Sequence, residues 1–144
     1  MTTESARGIL TRLAAATQVT RTLRSGTGWA GEGTGSVGAV WDGDVLVLTE
    51  AGTWAADGGR PMRWRASSRW WAEGGALAVE VQRQDAPASA VLDRRAGGAW
   101  VGRAPFVCAP DRYAVSLHLR AEAVEVTWRV DGPAKADAVA SRYR

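Results

Sequence analysis

The segment TGSVGAVWDGDVLVLTEAGTWA, residues 34–55, carries the clearest structural signal in the sequence. Two runs rich in Val, Leu and Thr flank Asp42-Gly43, and an Asp-Gly pair in this position favours a β-hairpin with a two-residue turn. Such a turn would pair Trp41 with Asp44. Because side chains alternate along a strand, the hairpin then presents one shared face. Its members include Trp41, Glu50, Gly52 and Trp54.

Turn sequences recur at short intervals through the rest of the chain, which is typical of an all-β protein. They delimit ten predicted strands, at 17–24, 34–41, 45–55, 61–71, 76–84, 88–94, 99–106, 112–120, 123–130 and 136–143. Ahead of the strands, apolar residues at helical spacing predict one helix over 5–16, with Thr3 or Ser5 as its N-cap. No helical segment is long enough for parallel crossovers, so we expect antiparallel strands in meander order.

Ten sequential antiparallel strands either stack as a sandwich or close as a barrel. Closure removes exposed strand edges, and tight turns dominate the sequence. We therefore expect a single up-and-down β-barrel over residues 1–144, with the N-terminal helix as a plug or lid. A β-sandwich is the structural alternative. A chain of 144 residues has the length of one domain.

Composition excludes several classes of protein. Hydrophobic residues make up 46% and charged residues 23%, as in globular proteins and unlike disordered chains. No stretch approaches the roughly 20 apolar residues of a membrane helix. No signal peptide is visible at the start, so we expect a cytoplasmic protein. The net charge is +3, but the basic residues are scattered, so we expect no nucleic-acid partner.

Cys108 and His118 are the only residues of their types. They cannot form a Cys/His cluster, so we expect no metal and no cofactor. A turn at Ala121-Glu122 would place His118 opposite Glu125 on the outer face of a hairpin, as a solvated pair. Cys108 lacks a second His to activate it and is expected to be a small buried thiol. No phosphate-binding loop or hydrolase motif occurs.

The chain contains eight tryptophans, an unusual number for its length. A barrel of ten strands has room for a cavity, and indoles on its inner face would suit a flat or polycyclic apolar molecule. The alternative is that the indoles simply fill the barrel. The candidate ligand-binding residues on the predicted inner face are Trp41, Trp54, Trp64, Ser68, Trp70, Tyr113 and Trp128.

Glu50 is the most informative polar residue on that face. A carboxylate in an apolar cavity is costly to bury unless it is paired, and such groups are often functional. Glu50 is therefore the candidate catalytic residue, as an acid or base. The alternative is a register shifted by one residue, which would turn Glu50 outward to water.

Several short motifs resemble one known family. They are Trp128-x-Val130-x-Gly132-Pro133-x-Lys135 followed by Tyr143, Cys108-x-x-Asp111-x-Tyr113, and Glu50-x-Gly52. Together they are similar to the pattern of a bacterial family of small proteins, domain of unknown function 6314, from about Leu10 onward. The resemblance implies a lipocalin-like or calycin-like β-barrel and supplies no activity.

Two positions depart from the family pattern. Phe106 stands where members usually carry His, and Leu48 stands where they usually carry Tyr. If the family performs chemistry through that His, this chain has lost the chemistry or performs another. The additional tryptophans suggest a pocket specialised for an aromatic or polyene guest.

Three functions follow from these patterns as expectations. The first is binding of a small hydrophobic molecule, aromatic or polyene-like, in a Trp-lined cavity, by a monomer or homodimer. The second is a cofactor-independent cyclase or isomerase on the same barrel, with Glu50 as acid or base. The third is an interaction module in which Trp29, Trp71 or Trp100 docks a partner protein.

Overall fold

The computed structural model describes residues 4–83 and 86–144. Its elements are α1 (Ala6–Ala15), β1 (Gln18–Ser25), β2 (Ala30–Asp42), β3 (Val45–Ala56), β4 (Met62–Glu73), β5 (Ala76–Val81), β6 (Ala88–Arg94), a short 3-10 turn (Ala96–Gly98), β7 (Ala99–Gly102), β8 (Phe106–Cys108), β9 (Asp111–Leu119), β10 (Val124–Gly132) and β11 (Lys135–Tyr143). Two sequence predictions touch positions outside the described residues: Thr3 as N-cap and residue 84 as the end of a strand. Ser5 caps α1, its hydroxyl accepting a hydrogen bond from the Gly8 amide at 3.1 Å.

The strands form a closed, antiparallel, up-and-down barrel of ten strands. Each barrel strand pairs with its neighbours in sequence, and β11 pairs with β1 to close the ring. The barrel prediction is thereby confirmed over the sandwich. No helix in the part of the chain that the structure describes has the length and apolarity needed to span a membrane.

The predicted strand 99–106 is wrong in detail. It consists of β7 and β8, which pair with different parts of β9. The pairing register with β9 shifts between the two strands: Ala99 lies opposite His118 in β7, and Phe106 lies opposite Tyr113 in β8. The interruption contains Pro105, which has no N–H to donate to a ladder. β7 therefore belongs to the closed ring, where it pairs with β6 and β9, whereas β8 pairs with β9 alone and lies outside the ring.

The β2–β3 hairpin also differs from the predicted pairing. Trp41 lies opposite Leu46, because the two-residue turn is Gly43-Asp44 rather than Asp42-Gly43. Gly43 has φ of +60°, which the first central position of a type II′ turn requires. This difference moves each partner by two residues, and a two-residue shift leaves every side chain on its predicted face.

The helix closes one end of the barrel. Ile9 and Leu13 are fully buried and face inward from α1 onto the strands. Trp100, an alternative docking residue in the sequence prediction, is 1% exposed and belongs to this core instead. Large side chains fill this half of the barrel, among them Leu46, Leu48, Leu77, Leu92 and Leu117.

Candidate functional site

The other half of the barrel contains a cavity of about 220 Å³. Its wall is mostly apolar, and its aromatic residues are Trp70, Tyr113, Trp128 and Tyr143. The aliphatic part of the wall consists of Ala66, Val81, Ala88, Val126, Val130 and Val139. The cavity therefore offers a concave apolar surface with aromatic faces, which suits a small apolar molecule.

Three polar side chains from different strands meet beside this apolar wall. Glu50 on β3 is 5% exposed. The Tyr143 hydroxyl on β11 donates to Glu50 Oε2 at 2.6 Å, and Arg21 Nη2 on β1 donates to Glu50 Oε1 at 3.1 Å. Glu50 thus faces inward, as predicted, and its carboxylate is paired.

Glycines on β2 make this contact possible. Arg21 and Glu50 lie on strands that flank β2, so the arginine must cross the inner face of β2 to reach the carboxylate. Gly33 and Gly35 present no side chain there. A Cβ at Gly33 would lie 2.8 Å from the Trp64 ring, so the same gap accommodates that indole.

Tyr143 remains a hydrogen-bond donor over a wide pH range. Burial raises the pKa of its phenol well above the ordinary 10.0, and the charge of Glu50 and the hydrogen bond to it raise the pKa further. Arg21 offsets only part of this effect. At neutral pH the phenol is therefore protonated and can hold a proton at Glu50 Oε2.

Ser68 has a defined partner. Its Oγ accepts a hydrogen bond from Trp70 Nε1 at 2.9 Å, and both residues are buried on β4. Indole N–H groups usually require a partner when buried. Ser68 therefore fixes the orientation of the Trp70 ring at the cavity wall.

The structure brings together part of the predicted ligand-binding set. Trp70, Trp128, Tyr113 and Ser68 line the cavity together with Glu50. The remaining three predicted residues, Trp41, Trp54 and Trp64, lie elsewhere.

The prediction that Trp41 lines the cavity is wrong. Trp41 is 49% exposed and borders a groove with Leu10 and Thr11 of α1. Alternation along β2 puts Trp41 on the same side of the strand as the inward-facing residues. However, Trp41 lies at the end of β2, where the helix already closes the barrel.

Trp54 and Trp64 lie nearer the opposite rim. Trp54 pairs with Met62 across β3 and β4, and its ring centre is 6.3 Å from that of Trp29. Trp64 packs below Arg21, whose guanidinium carbon is 5.1 Å from the ring centre. Both were predicted to line the cavity and lie outside its observed lining, because position along a strand decides depth within the barrel.

Sequence reasoning missed Arg21 as a site residue. A usable signal was present: Val19 and Leu23 flank Arg21 at a spacing of two, which puts its side chain on their face. Glycines at alternate positions of the neighbouring strand indicate space on that face. Tyr143 was noted only as part of a family motif.

The mouth of the cavity carries a second arginine. Arg83 follows β5, and its guanidinium carbon lies 4.5 Å from the centre of the Tyr113 ring, within the range of a cation–π interaction. Arg83 also borders a groove of about 720 Å³ on the outer side of β2–β4.

The remaining candidates for chemistry lie away from the cavity. His118 is opposite Glu125, as predicted, while Arg120 Nη2 lies 3.6 Å from Glu125 Oε1. Cys108 is half-buried on β8. Within residues 4–83 and 86–144, no group of three His, Cys, Asp or Glu side chains is arranged to hold a metal ion.

Comparisons with known proteins found one family model and two similar structures. The model of a family described as "Family of unknown function (DUF6314)" matches residues 13–144. The S-type phycobiliprotein lyase CPES from Guillardia theta has a similar structure, with a TM-score of 0.66 at 7% identity over 96% of this chain and 91% of that chain. A de novo designed fluorescence-activating β-barrel matches with a TM-score of 0.46 at 15% identity, over 91% and 94% of the two chains. None of the curated proteins matches the sequence.

Proposed function

We propose that the chain, which belongs to the DUF6314 family of unknown function, binds a small hydrophobic molecule in its barrel cavity. The molecule is aromatic or polyene-like. The observation that carries the proposal is the apolar, aromatic-walled cavity of about 220 Å³ in a barrel whose other half is filled.

The physical argument concerns the cost of empty apolar space. Side chains around an unfilled cavity lose contacts that a filled core would provide. An apolar molecule that enters the cavity restores those contacts and buries its own surface. The flat faces of Trp70, Tyr113 and Trp128 favour a flat guest.

The first experiment compares native and denaturing mass spectra of the purified protein. A non-covalent mass that leaves on unfolding would identify the class of ligand. A pigment-like chromophore is a reasonable first compound to add, because the lyase of similar fold is named for its action on phycobiliproteins.

A matched pair of variants locates the binding site. Val139→Trp places a large side chain in the cavity wall, whereas Val40→Trp places the same side chain at a position that is 67% exposed. Binding should be lost in the first variant and retained in the second. Binding retained equally by both variants would place the ligand outside the cavity and contradict the proposal.

A catalytic role is the second candidate, and the 2.6 Å contact between Tyr143 and Glu50 favours it. A cyclisation or isomerisation needs a folded substrate and a proton donor or acceptor at a fixed position. Glu50→Gln separates the two candidates once a ligand is known. Full binding with lost turnover supports a cofactor-independent cyclase or isomerase, whereas full binding with no turnover in the wild type supports a carrier.

A further inference from the structure

We infer that the molecule bound in the cavity is an anion, with its apolar body inside the barrel and its acidic group at the mouth against Arg83. The inference rests on the proposed binding function. It adds the charge of the ligand and the direction in which the ligand lies.

Among the lining residues that the structure describes, the positive and negative charges are not balanced. Glu50, the one acidic residue among the described lining residues, already pairs with Arg21 at 3.1 Å. Arg83 is the second arginine of the lining, and no carboxylate of residues 4–83 or 86–144 lies within 4.0 Å of its guanidinium. One positive charge therefore faces the cavity mouth without a compensating acidic group in the described residues.

Packing against Tyr113 orients this charge. The guanidinium carbon of Arg83 lies over the Tyr113 ring, 4.5 Å from its centre. The N–H groups of a guanidinium lie along the edge of its plane, and contact with an aromatic ring does not use them as donors to oxygen. A carboxylate or other oxyanion can accept two of them in parallel. Arg83 is thus held at the mouth with donors available for an acidic group.

The groove beside the mouth adds charged and hydrogen-bonding side chains next to Arg83. Four residues border both the cavity and this groove: Arg83, Ser67, Ala66 and Glu50, whose charge is paired with Arg21. The groove adds Arg65, which is exposed, and the polar side chains Ser36, Thr49 and Gln82. A molecule in the cavity can therefore extend into a groove that offers two arginines and several hydrogen-bonding side chains.

Two fluorescent probes test the inference. 1-Anilinonaphthalene-8-sulfonate and N-phenyl-1-naphthylamine share one aromatic framework, and only the first carries an acidic group. We expect the anionic probe to bind the wild type about tenfold more tightly, as one charge-assisted contact would provide. The preference should decrease as salt is added, because salt screens an exposed charge.

Variants assign the preference to Arg83. Arg83→Met should remove the preference for the sulfonate and leave the Kd of the neutral probe within about twofold. Arg83→Lys should restore most of the preference. Arg63→Met removes an exposed charge from β4, outside the linings of the cavity and the groove, and should change neither Kd. Val139→Trp should abolish binding of both probes, and thermal unfolding of each variant establishes that it is folded.

The outcomes separate this inference from the proposed function. If the neutral probe binds as tightly as the anionic one, or if Arg83→Met weakens both equally in a folded protein, the ligand is not recognised as an anion. If Val139→Trp retains the sulfonate, that probe binds outside the cavity and the inference is also wrong. If neither probe binds the wild type, the proposed binding function itself is contradicted.

Discussion

The two halves of this barrel have the same backbone architecture and different interiors. Below α1 the inner positions carry large side chains such as Leu46, Leu77 and Trp100, and the space is filled. In the other half the inner positions include Ala66, Ala88 and other small residues, and a cavity remains. The comparison teaches that inner-face side-chain volume, rather than strand order, divides the barrel into a core and a site.

The largest expected effect tests the filled half. Leu13 is fully buried in α1, so Leu13→Ala should reduce the free energy of unfolding by about 4 kcal/mol, since the deletion leaves a void. Urea denaturation measures the change. Thr11→Ala on the exposed side of the same helix should cost about 0.5 kcal/mol or less. Equal costs would mean that the helix does not close the core.

The next effect tests the ion pair between Arg21 and Glu50 in the half of the barrel that contains the cavity. Arg21→Met leaves Glu50 buried without its cation and should cost about 3 kcal/mol, as removal of one partner of a buried pair does. Glu50→Gln should cost less, because the Arg21 side chain is 23% exposed and that of Glu50 only 3%. Urea denaturation of both single variants checks the order. A larger cost for Glu50→Gln would overturn this assignment of burial.

A smaller effect concerns the hydrogen bond of Tyr143. Tyr143→Phe removes a donor to a buried carboxylate and should cost about 2 kcal/mol at neutral pH. Tyr113→Phe removes the hydroxyl of the only other tyrosine. That hydroxyl makes no hydrogen bond within the described residues, so its loss should cost much less. Chemical denaturation of the two variants compares them directly.

The same phenol predicts a pH dependence. The pKa of Tyr143 is raised in the folded state above the ordinary 10.0, so the unfolded chain loses this proton first as pH rises. The stability contribution is complete below pH 10 and falls above it, by at most about 1.4 kcal/mol per pH unit. Unfolding measured between pH 9 and 11.5 should show a decline that Tyr143→Phe reduces and Tyr113→Phe retains.

The smallest expected effect concerns Trp41. This indole is 49% exposed beside α1, so Trp41→Thr should change the free energy of unfolding by about 0.5 kcal/mol or less. Probe binding should not change. Trp128→Thr, in the cavity wall, is the matched variant and should weaken probe binding. A loss of binding in Trp41→Thr alone would return that residue to the site.

Much of the fold was predictable because alternation and turn chemistry are local. The helix was expected at 5–16 and lies at Ala6–Ala15, and the pairing of His118 with Glu125 followed from a short turn. The turn at Gly43 differs from the predicted turn, but the side chains keep their predicted faces because each cross-strand partner is displaced by two residues. The division of 99–106 was not predicted, since which edge of a strand loses its partner depends on neighbours far away in sequence.

The site was predictable only in part. Alternation assigned Glu50 and Trp70 to the inner face, but it assigned Trp41 there as well. Whether a residue is odd or even along a strand tells which face of the sheet its side chain occupies. It does not tell how far along the barrel axis that side chain lies. That depth separates a residue in the cavity from one at the closed end.

The sequence by itself determined an antiparallel meander, its inner and outer faces and a family resemblance, because each depends on neighbouring residues or on short motifs. Only the tertiary structure decided which inner residues meet. Ring closure and the glycine face of β2 bring Arg21, Glu50 and Tyr143 together from three strands. The physical reason is that contacts across a barrel depend on its closure and on the volumes of all facing side chains at once, which no local pattern records.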